Sequence, residues 1–347
     1  EVDRSLLRPV LGELIRFRKA AFAIDSTLEE RLRMEAENCV GMATSAKDRE
    51  DEIRNHSFYM FTDETKSKKT FIQKGIPYAS ELSLQNVKDL ETIVDWNEAN
   101  NIKFYRMSSD IFPWCSEYSY WELPDYKEIK YWLRYAGDYA KEWGHRLTFH
   151  PGPFCCLASP NFEVVEKTYK ELNNHSRIFD MMGFEPSHYN KINIHVGGTY
   201  GDKEKTAKRF IENFHRPGGL DENTKKRFTL ENDDKASMWS TKEIYDYIHH
   251  ETGIPIVFDY HHHRFCTGGL TEQEALELAA STWPPWIKPV VHVSESRAIE
   301  QGDPKIRKQA HSDYIKKPVE SYGQNHDIML ECKKKELALL KLREPAA

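Results

Sequence analysis

Six short apolar runs end on a residue able to bind a metal ion. His150 closes RLTFH, His195 closes KINIH, Glu231 closes RFTLE, Asp259 closes IPIVFD, His292 lies in the last two residues of PVVHV, and Glu331 closes DIMLE. Imidazole mixed with carboxylate suits borderline divalent ions such as Zn²⁺ or Mn²⁺, and three carboxylates favour a site that holds more than one ion. Asp259 and His262 form a D-x-x-H unit, and His311 belongs to another loop, which together supply a third candidate site. Of the adjacent His261, His262 and His263, one or two are expected to bind metal, the alternative for the others being plain solvation on a loop. Clustered divalent ions serve two broad chemistries: they clamp the attacking and leaving oxygens of a phosphodiester displacement, or they polarise a sugar carbonyl during isomerisation.

The neighbours of these residues favour a large substrate. In HPGPFCC (150–156), Pro153 and Phe154 follow a candidate ligand, where a rigid aromatic tip can wedge beside a disrupted base step. The alternative is that Phe154 packs under its own loop. HVGGTYGDKEKTAKRF (195–210) sets two glycines, Tyr200, Lys203, Lys205, Lys208 and Arg209 behind His195, which reads either as a phosphate-holding wall or as a solvated helix face. Lys333, Lys334 and Lys335 carry the same two readings.

These positions have to be held by a repeating framework. Short β-rich runs at 102–109, 146–150, 191–195, 227–231, 254–259, 289–293 and 327–331 alternate with helix-period stretches such as DYKEIKYWLRYAGDYAKEW and NFEVVEKTYKELNNHSRIFDMMG. Alternating β and α units imply a parallel sheet. Seven runs, with an eighth strand expected at CVGMAT (39–44), point to an α/β fold of the TIM-type (β/α)8 barrel. In that barrel all C-terminal strand ends rise to one face, so the His and carboxylate residues would surround one point. Residues 1–38 read as a charged helical extension, 45–80 as an irregular insertion, and 39–347 as one barrel domain.

The net charge of −6 argues against a protein that coats nucleic acid non-specifically, but leaves room for DNA held in one basic groove. Six cysteines without a CxxC pair are expected to be reduced thiols. No apolar run approaches membrane-spanning length, so no membrane partner is expected. The first residues, EVDRSLLRPV, lack both an initiator Met and the apolar core of a secretory leader, so they read as a trimmed or mature end and an intracellular location is expected.

In order along residues 80–335, FYRMSSDIFPW, RLTFHPGPF, INIHVGGTYGDKEKTAKRF, FTLENDD, IPIVFDYHHH, VHVS and IMLEC resemble the successive motifs of the UV damage endonucleases, relatives of endonuclease IV. The resemblance implies a barrel repair enzyme acting in the nucleus or cytoplasm, wherever the DNA is. It would cut damaged double-stranded DNA immediately 5′ of cyclobutane dimers and 6-4 photoproducts, leaving a 3′-hydroxyl and a 5′-phosphate. It implies up to three divalent ions, Mn²⁺ first, with Zn²⁺, Mg²⁺ or Co²⁺ as alternatives, and a monomeric chain. Carried over by position, His150, His195 and Glu231 would hold one ion, and Glu231, Asp259, His292 and Glu331 the second. His262 and His311 would hold the third.

Three positions depart from the family pattern. Pro153-Phe154 stands where a Gln followed by an aromatic is frequent, Glu117 where a His is frequent, and Val290 where some members carry a Lys. Glu117 is therefore a further candidate ligand. The rival readings are an endonuclease IV-like enzyme that prefers abasic sites, a xylose-isomerase-like sugar enzyme, and a catalytically dead damage binder.

Overall fold

The computed structural model describes residues 68–316 and 319–343. The expected extension at 1–38 and the expected eighth strand at 39–44 lie outside the described residues. Among those described, seven strands form one sheet in chain order, every neighbouring pair parallel. They are β1 (Phe104–Met107), β2 (Arg146–Phe149), β3 (Ile192–His195), β4 (Phe228–Glu231), β5 (Ile256–Asp259), β6 (Val290–Val293) and β7 (Asp327–Leu330). Every run read as β in the sequence contains one of them. Strands β1 and β7 are not hydrogen-bonded to each other, yet Arg106 of β1 pairs with Glu331 just beyond β7. The sheet thus curls almost closed, a TIM-type barrel.

Helices α1 (Lys68–Ala99) and α7 (Lys335–Arg343) form outside the stretches read as helical, whereas α2 (Tyr126–Glu142), α3 (Phe162–Met182), α4 (Lys203–His215), α5 (Thr241–Ile244, continuing through a π turn at Tyr245–His249) and α6 (Glu272–Ser281) lie where periodicity places them. Side-chain caps set their starts. Asn161 accepts from Glu163 N at 2.9 Å, Asp202 accepts from Lys205 N at 3.0 Å, and Ser240 and Thr271 form reciprocal capping boxes with Glu243 and Glu274. Between α2 and α3 the packing needs Gly137, where an added Cβ would meet the Met182 carbonyl at 2.1 Å.

One sequence expectation fails here. Residues 68–80, assigned to an irregular insertion, are the start of α1. Gly75 and Pro77 read as turn signals, but Gly75 absorbs a single kink at φ 70 and Pro77 falls in the first turn of the helical segment that resumes after it. Proline is tolerated there because its missing N–H would have no helical partner.

Alternation along each strand divides the structure into a core and a barrel interior. On β3, Ile192 and Ile194 are buried apolar residues, while Lys191, Asn193 and His195 form a polar stripe of opposite phase. Register then levels the stripe with its neighbours: His195 pairs with Glu231, and Asp259 pairs with His292. No helix among the described residues is long and apolar enough to cross a membrane. The described cysteines are all free thiols.

Candidate metal centre

Glu231 is the hub of the barrel mouth. It is fully buried at the end of β4, with His150 Nε2 3.0 Å and His292 Nδ1 2.9 Å from its Oε2. His262 Nδ1 lies 3.3 Å and His195 Nε2 4.0 Å from its Oε1. Glu331 adds a second carboxylate 3.1 Å from His292 Nδ1. Among the described residues, three sets have all their ligand atoms within 4.8 Å: His150, His195 and Glu231; Glu231, Asp259, His292 and Glu331; and His150, His292 and Glu331. The first two coincide with the sets obtained from strand ends and resemblance. His262 and His311 fall in none of the three, but their rings are 5.8 Å apart beside the cluster, and His311 Nδ1 lies 3.9 Å from Glu331 Oε2.

The donor set fits divalent cations. Glu231 Oε1, Asp259 Oδ2, His195 Nδ1 and His292 Nδ1 are buried and make no aligned hydrogen bond. Buried polar atoms without aligned partners are costly and rare, and here two carboxylate oxygens and two imidazole nitrogens gather in one place. A cation satisfies several at once, whereas a further apolar contact satisfies none. Protonation reflects the same crowding. Burial opposes charge on Glu231, but His292 and His195 hold it well below the usual carboxylate range. Burial likewise opposes charge on Glu331, which Arg106 and His292 keep low. Burial pushes Asp259 up to about 6. Burial also disfavours imidazolium, yet Glu231 and Asp233 outweigh it and raise His195 to about 9, while Asp259 and Glu231 raise His262 to about 11. His150, for which burial wins, drops to about 4 and presents a neutral imidazole.

The UV-endonuclease UvdE family matches residues 38–346. The chain belongs to that family. It is 36% identical over 279 residues to a UV DNA damage endonuclease of Bacillus cereus, covering 74% of this chain and 80% of the relative. It is 34% identical to a UV-damage endonuclease of Neurospora crassa and 31% identical to one of Schizosaccharomyces pombe, covering 84% of this chain in each case. The match spans only 44% and 48% of those two fungal proteins. A crystal structure titled SacUVDE matches with a TM-score of 0.66 and 32% identity, covering 81% of this chain and 90% of that one.

Around the strand ends, the motif Glu231-Asn232-Asp233 serves three strands at once. Asn232 clips β4 to β5, donating Nδ2 to the Asp259 carbonyl at 3.0 Å and accepting from Asp259 N at 2.8 Å. Its own carbonyl lies 3.0 Å from His262 Nδ1. Asp233 reaches the other way, its Oδ1 3.2 Å from His195 Nδ1, and its Oδ2 accepts from Trp239 N at 3.2 Å. Asn193 donates to Glu231 Oε2 and is itself fixed by Thr229 Oγ1 at 2.8 Å. These positioning residues, with Arg106 and Lys191, were not singled out in the sequence. Lys191 is fully buried, its Nζ 3.3 Å from His292 Nε2, and burial lowers it to about 7. The available signal was the period-two polar stripe Lys191, Asn193, His195, since a lysine inside an apolar strand has to point into the barrel.

The residues expected to meet substrate are placed less uniformly. Phe154 is 88% exposed beyond β2 next to the exposed Pro153, so it does not pack under its loop. Tyr200 is half exposed at φ 48, its hydroxyl 3.6 Å from Cys156 Sγ. The neighbouring Gly197 (φ 96) admits no Cβ, which would lie 2.5 Å from the same sulfur. Lys203 is bound to Glu243 at 2.5 Å, and the well exposed Lys205 to Asp202 at 3.1 Å. Glu117 is exposed on the loop after β1 and belongs to none of the three ligand sets.

Proposed function

We propose that the chain is a metal-dependent endodeoxyribonuclease of DNA repair that cuts the phosphodiester backbone immediately 5′ of cyclobutane pyrimidine dimers and 6-4 photoproducts. The products are a 3′-hydroxyl and a 5′-phosphate. The observation that carries this reading is the convergence of buried imidazoles and carboxylates on Glu231 in a chain of the UvdE family. Up to three divalent ions, Mn²⁺ first, are assigned to His150, His195 and Glu231; to Glu231, Asp259, His292 and Glu331; and to His262 with His311. When bound, such ions activate water and stabilise charge on the phosphate and its leaving oxygen.

The protein's own part is placement. Asn193 occupies Glu231 Oε2 and leaves Oε1 facing His195 and His262. Asp233 at Nδ1 of His195 turns Nε2 toward Glu231, and the Asn232 carbonyl at Nδ1 of His262 leaves Nε2 available for a cation. Arg106 balances Glu331, so the mouth keeps three carboxylates close together without mutual expulsion. Lesion choice follows from deformability: a photodimer weakens stacking and pairing, and lowers the energy needed to open the duplex around Phe154 and Tyr200. The chain acts as a monomer inside the cell, where DNA is.

Incision of an end-labelled duplex carrying one thymine dimer, beside abasic and undamaged controls, tests the proposal. A cut just 5′ of the dimer with Mn²⁺ and none with EDTA is the expected result. Cleavage of the abasic duplex alone overturns the lesion assignment, and no cleavage with any divalent metal overturns the reaction.

A further inference from the structure

An overall charge of −6 means that attraction to a polyanion has to be local. Two basic segments flank the barrel mouth, and they differ in what their charges already do. On α4, Lys203 is paired with Glu243 at 2.5 Å, Lys205 with Asp202 at 3.1 Å and Lys208 with Glu204 at 3.1 Å. Arg209 donates to the Ala158 carbonyl at 2.6 Å and stacks on Tyr200 with its guanidinium 5.2 Å from the ring centre. Each of these cations already has a partner.

The loop after β6 shows the converse. Several of its acids accept from backbone amides, while Asp313 faces Arg297 Nε at 3.9 Å. Glu300 accepts from Asp313 N at 2.6 Å and Tyr314 N at 2.9 Å, Asp303 from Lys305 N at 2.8 Å, and Glu295 from Lys316 N at 3.3 Å. The cations Lys305, Arg307 and Lys308 are exposed and form no ion pair among the described residues, and the same holds for Lys333. Lys333 joins this group through its backbone N–H, which donates to the Ser312 carbonyl at 2.8 Å, and its charge is felt at His311.

The platform is also rigidly held against the candidate metal centre. His261 Nε2 lies 3.2 Å from the Gln309 carbonyl, Arg297 N donates to Ala310 O at 2.8 Å, and Ser296 bridges to His311. This gives the buried His261 a task other than ligation: it fastens the basic turn. Lys308 precedes His311 by three residues, so their Cα atoms are at most about 11 Å apart.

We infer that the sugar-phosphate backbone of the DNA rests on this turn, its phosphates taken by Lys305, Arg307, Lys308 and Lys333, rather than on α4. The inference rests on the reading of DNA as substrate, and it assigns the contacts that position the duplex without reading sequence. Each phosphate contact releases counterions, so the logarithm of affinity falls with the logarithm of salt by about 0.9 per contact on duplex DNA.

The test is equilibrium binding of the full chain to a short duplex in EDTA across a NaCl series. It compares the unaltered protein, the triple variant Lys305→Ala/Arg307→Ala/Lys308→Ala and the double variant Lys205→Ala/Lys208→Ala. The triple variant is expected to lower the salt slope by about 2 to 3, and the double variant to leave it unchanged. Circular dichroism confirms that each variant is folded. An unchanged slope in the triple variant, or an equal drop in the double variant, overturns the inference while leaving the nuclease reading intact. An unaltered protein that binds no duplex overturns both.

Discussion

Both ends of the barrel bury charge, but they do so in opposite ways. At the N-terminal ends of the strands, Arg146 is 2% exposed and donates to the carbonyls of Tyr189 and Lys288 at 2.8 Å each, to Asp327 at 2.9 Å and to the His188 carbonyl at 3.3 Å. Beside it Lys103 and His145 both engage Glu98. At the C-terminal ends the carboxylates of Glu231, Asp259 and Glu331 meet imidazoles, and lone-pair atoms remain without aligned donors. Burial of charge is common to both ends. What distinguishes the mouth is that its buried atoms without aligned partners include carboxylate oxygens, Glu231 Oε1 and Asp259 Oδ2.

Substitutions that break this contrast should have unequal effects. Glu231→Gln removes the shared oxygen of the mouth and is expected to lower dimer incision on the order of 10³-fold while the chain stays folded. Full activity in metal-defined buffer would put the chemistry elsewhere. Arg146→Met should do the reverse, destabilising the barrel by about 3 to 5 kcal/mol because it strands Asp327 and several carbonyls, with the folded fraction retaining its turnover; denaturant melts read the first effect and incision kinetics the second. Asp233→Asn keeps the shape but weakens the hold on His195, so Mn²⁺ affinity is expected to fall about 10 to 100-fold. Rescue by raised Mn²⁺ separates this from loss of fold. Phe154→Ala, at a ring that contributes almost nothing to the core, should leave melting and metal affinity alone and lower dimer incision by about 10-fold, the scale of one lost stacking contact.

The pH dependence sharpens the contrast further. His195 in the metal-free protein is raised to about 9 from 6.5, so its charged contacts stabilise the fold fully below about 6.5, and that contribution disappears as pH rises through about 9. In EDTA the melting temperature is therefore expected to fall between pH 6 and pH 10. With Mn²⁺ the opposite trend is expected up to about pH 9, since binding has to displace the protons of His195 and His262. Parallel pH profiles with and without metal would show that these imidazoles do not bind it.

Much of the fold was legible because it is local. The apolar runs, their turn residues and the caps at Asn161, Asp202, Ser240 and Thr271 are encoded within a few positions, and all seven strands fall where those signals put them. Gly75 and Pro77 misled because a kinked helix and a loop share the same punctuation. Ligand candidates such as His150, His195 and Glu231 were legible for a topological reason: once strands are parallel in a barrel, whatever closes them shares one face.

Positioning and pairing were not legible. Asp233 resembles any loop acid until Trp239 N and His195 Nδ1 are seen on either side of it, and Lys191 is just a strand residue until the barrel closes on His292. In the sequence the lysines of α4 and the run Lys333-Lys334-Lys335 look equally suited to phosphate, and Lys305, Arg307 and Lys308 carry no signal that singles them out. The pairs Lys205–Asp202 and Lys208–Glu204 are local, but tertiary structure decided the rest: Glu243 lies forty residues from Lys203 and still pairs with it, while Lys305, Arg307 and Lys308 form no ion pair among the described residues. The sequence by itself determined the alternation of elements and the kinds of atoms delivered to the barrel mouth, since both follow from short-range periodicity. Which lone pairs stay unmatched and which charges stay free was decided only by the packed chain, because hydrogen bonds and ion pairs are settled by proximity in space.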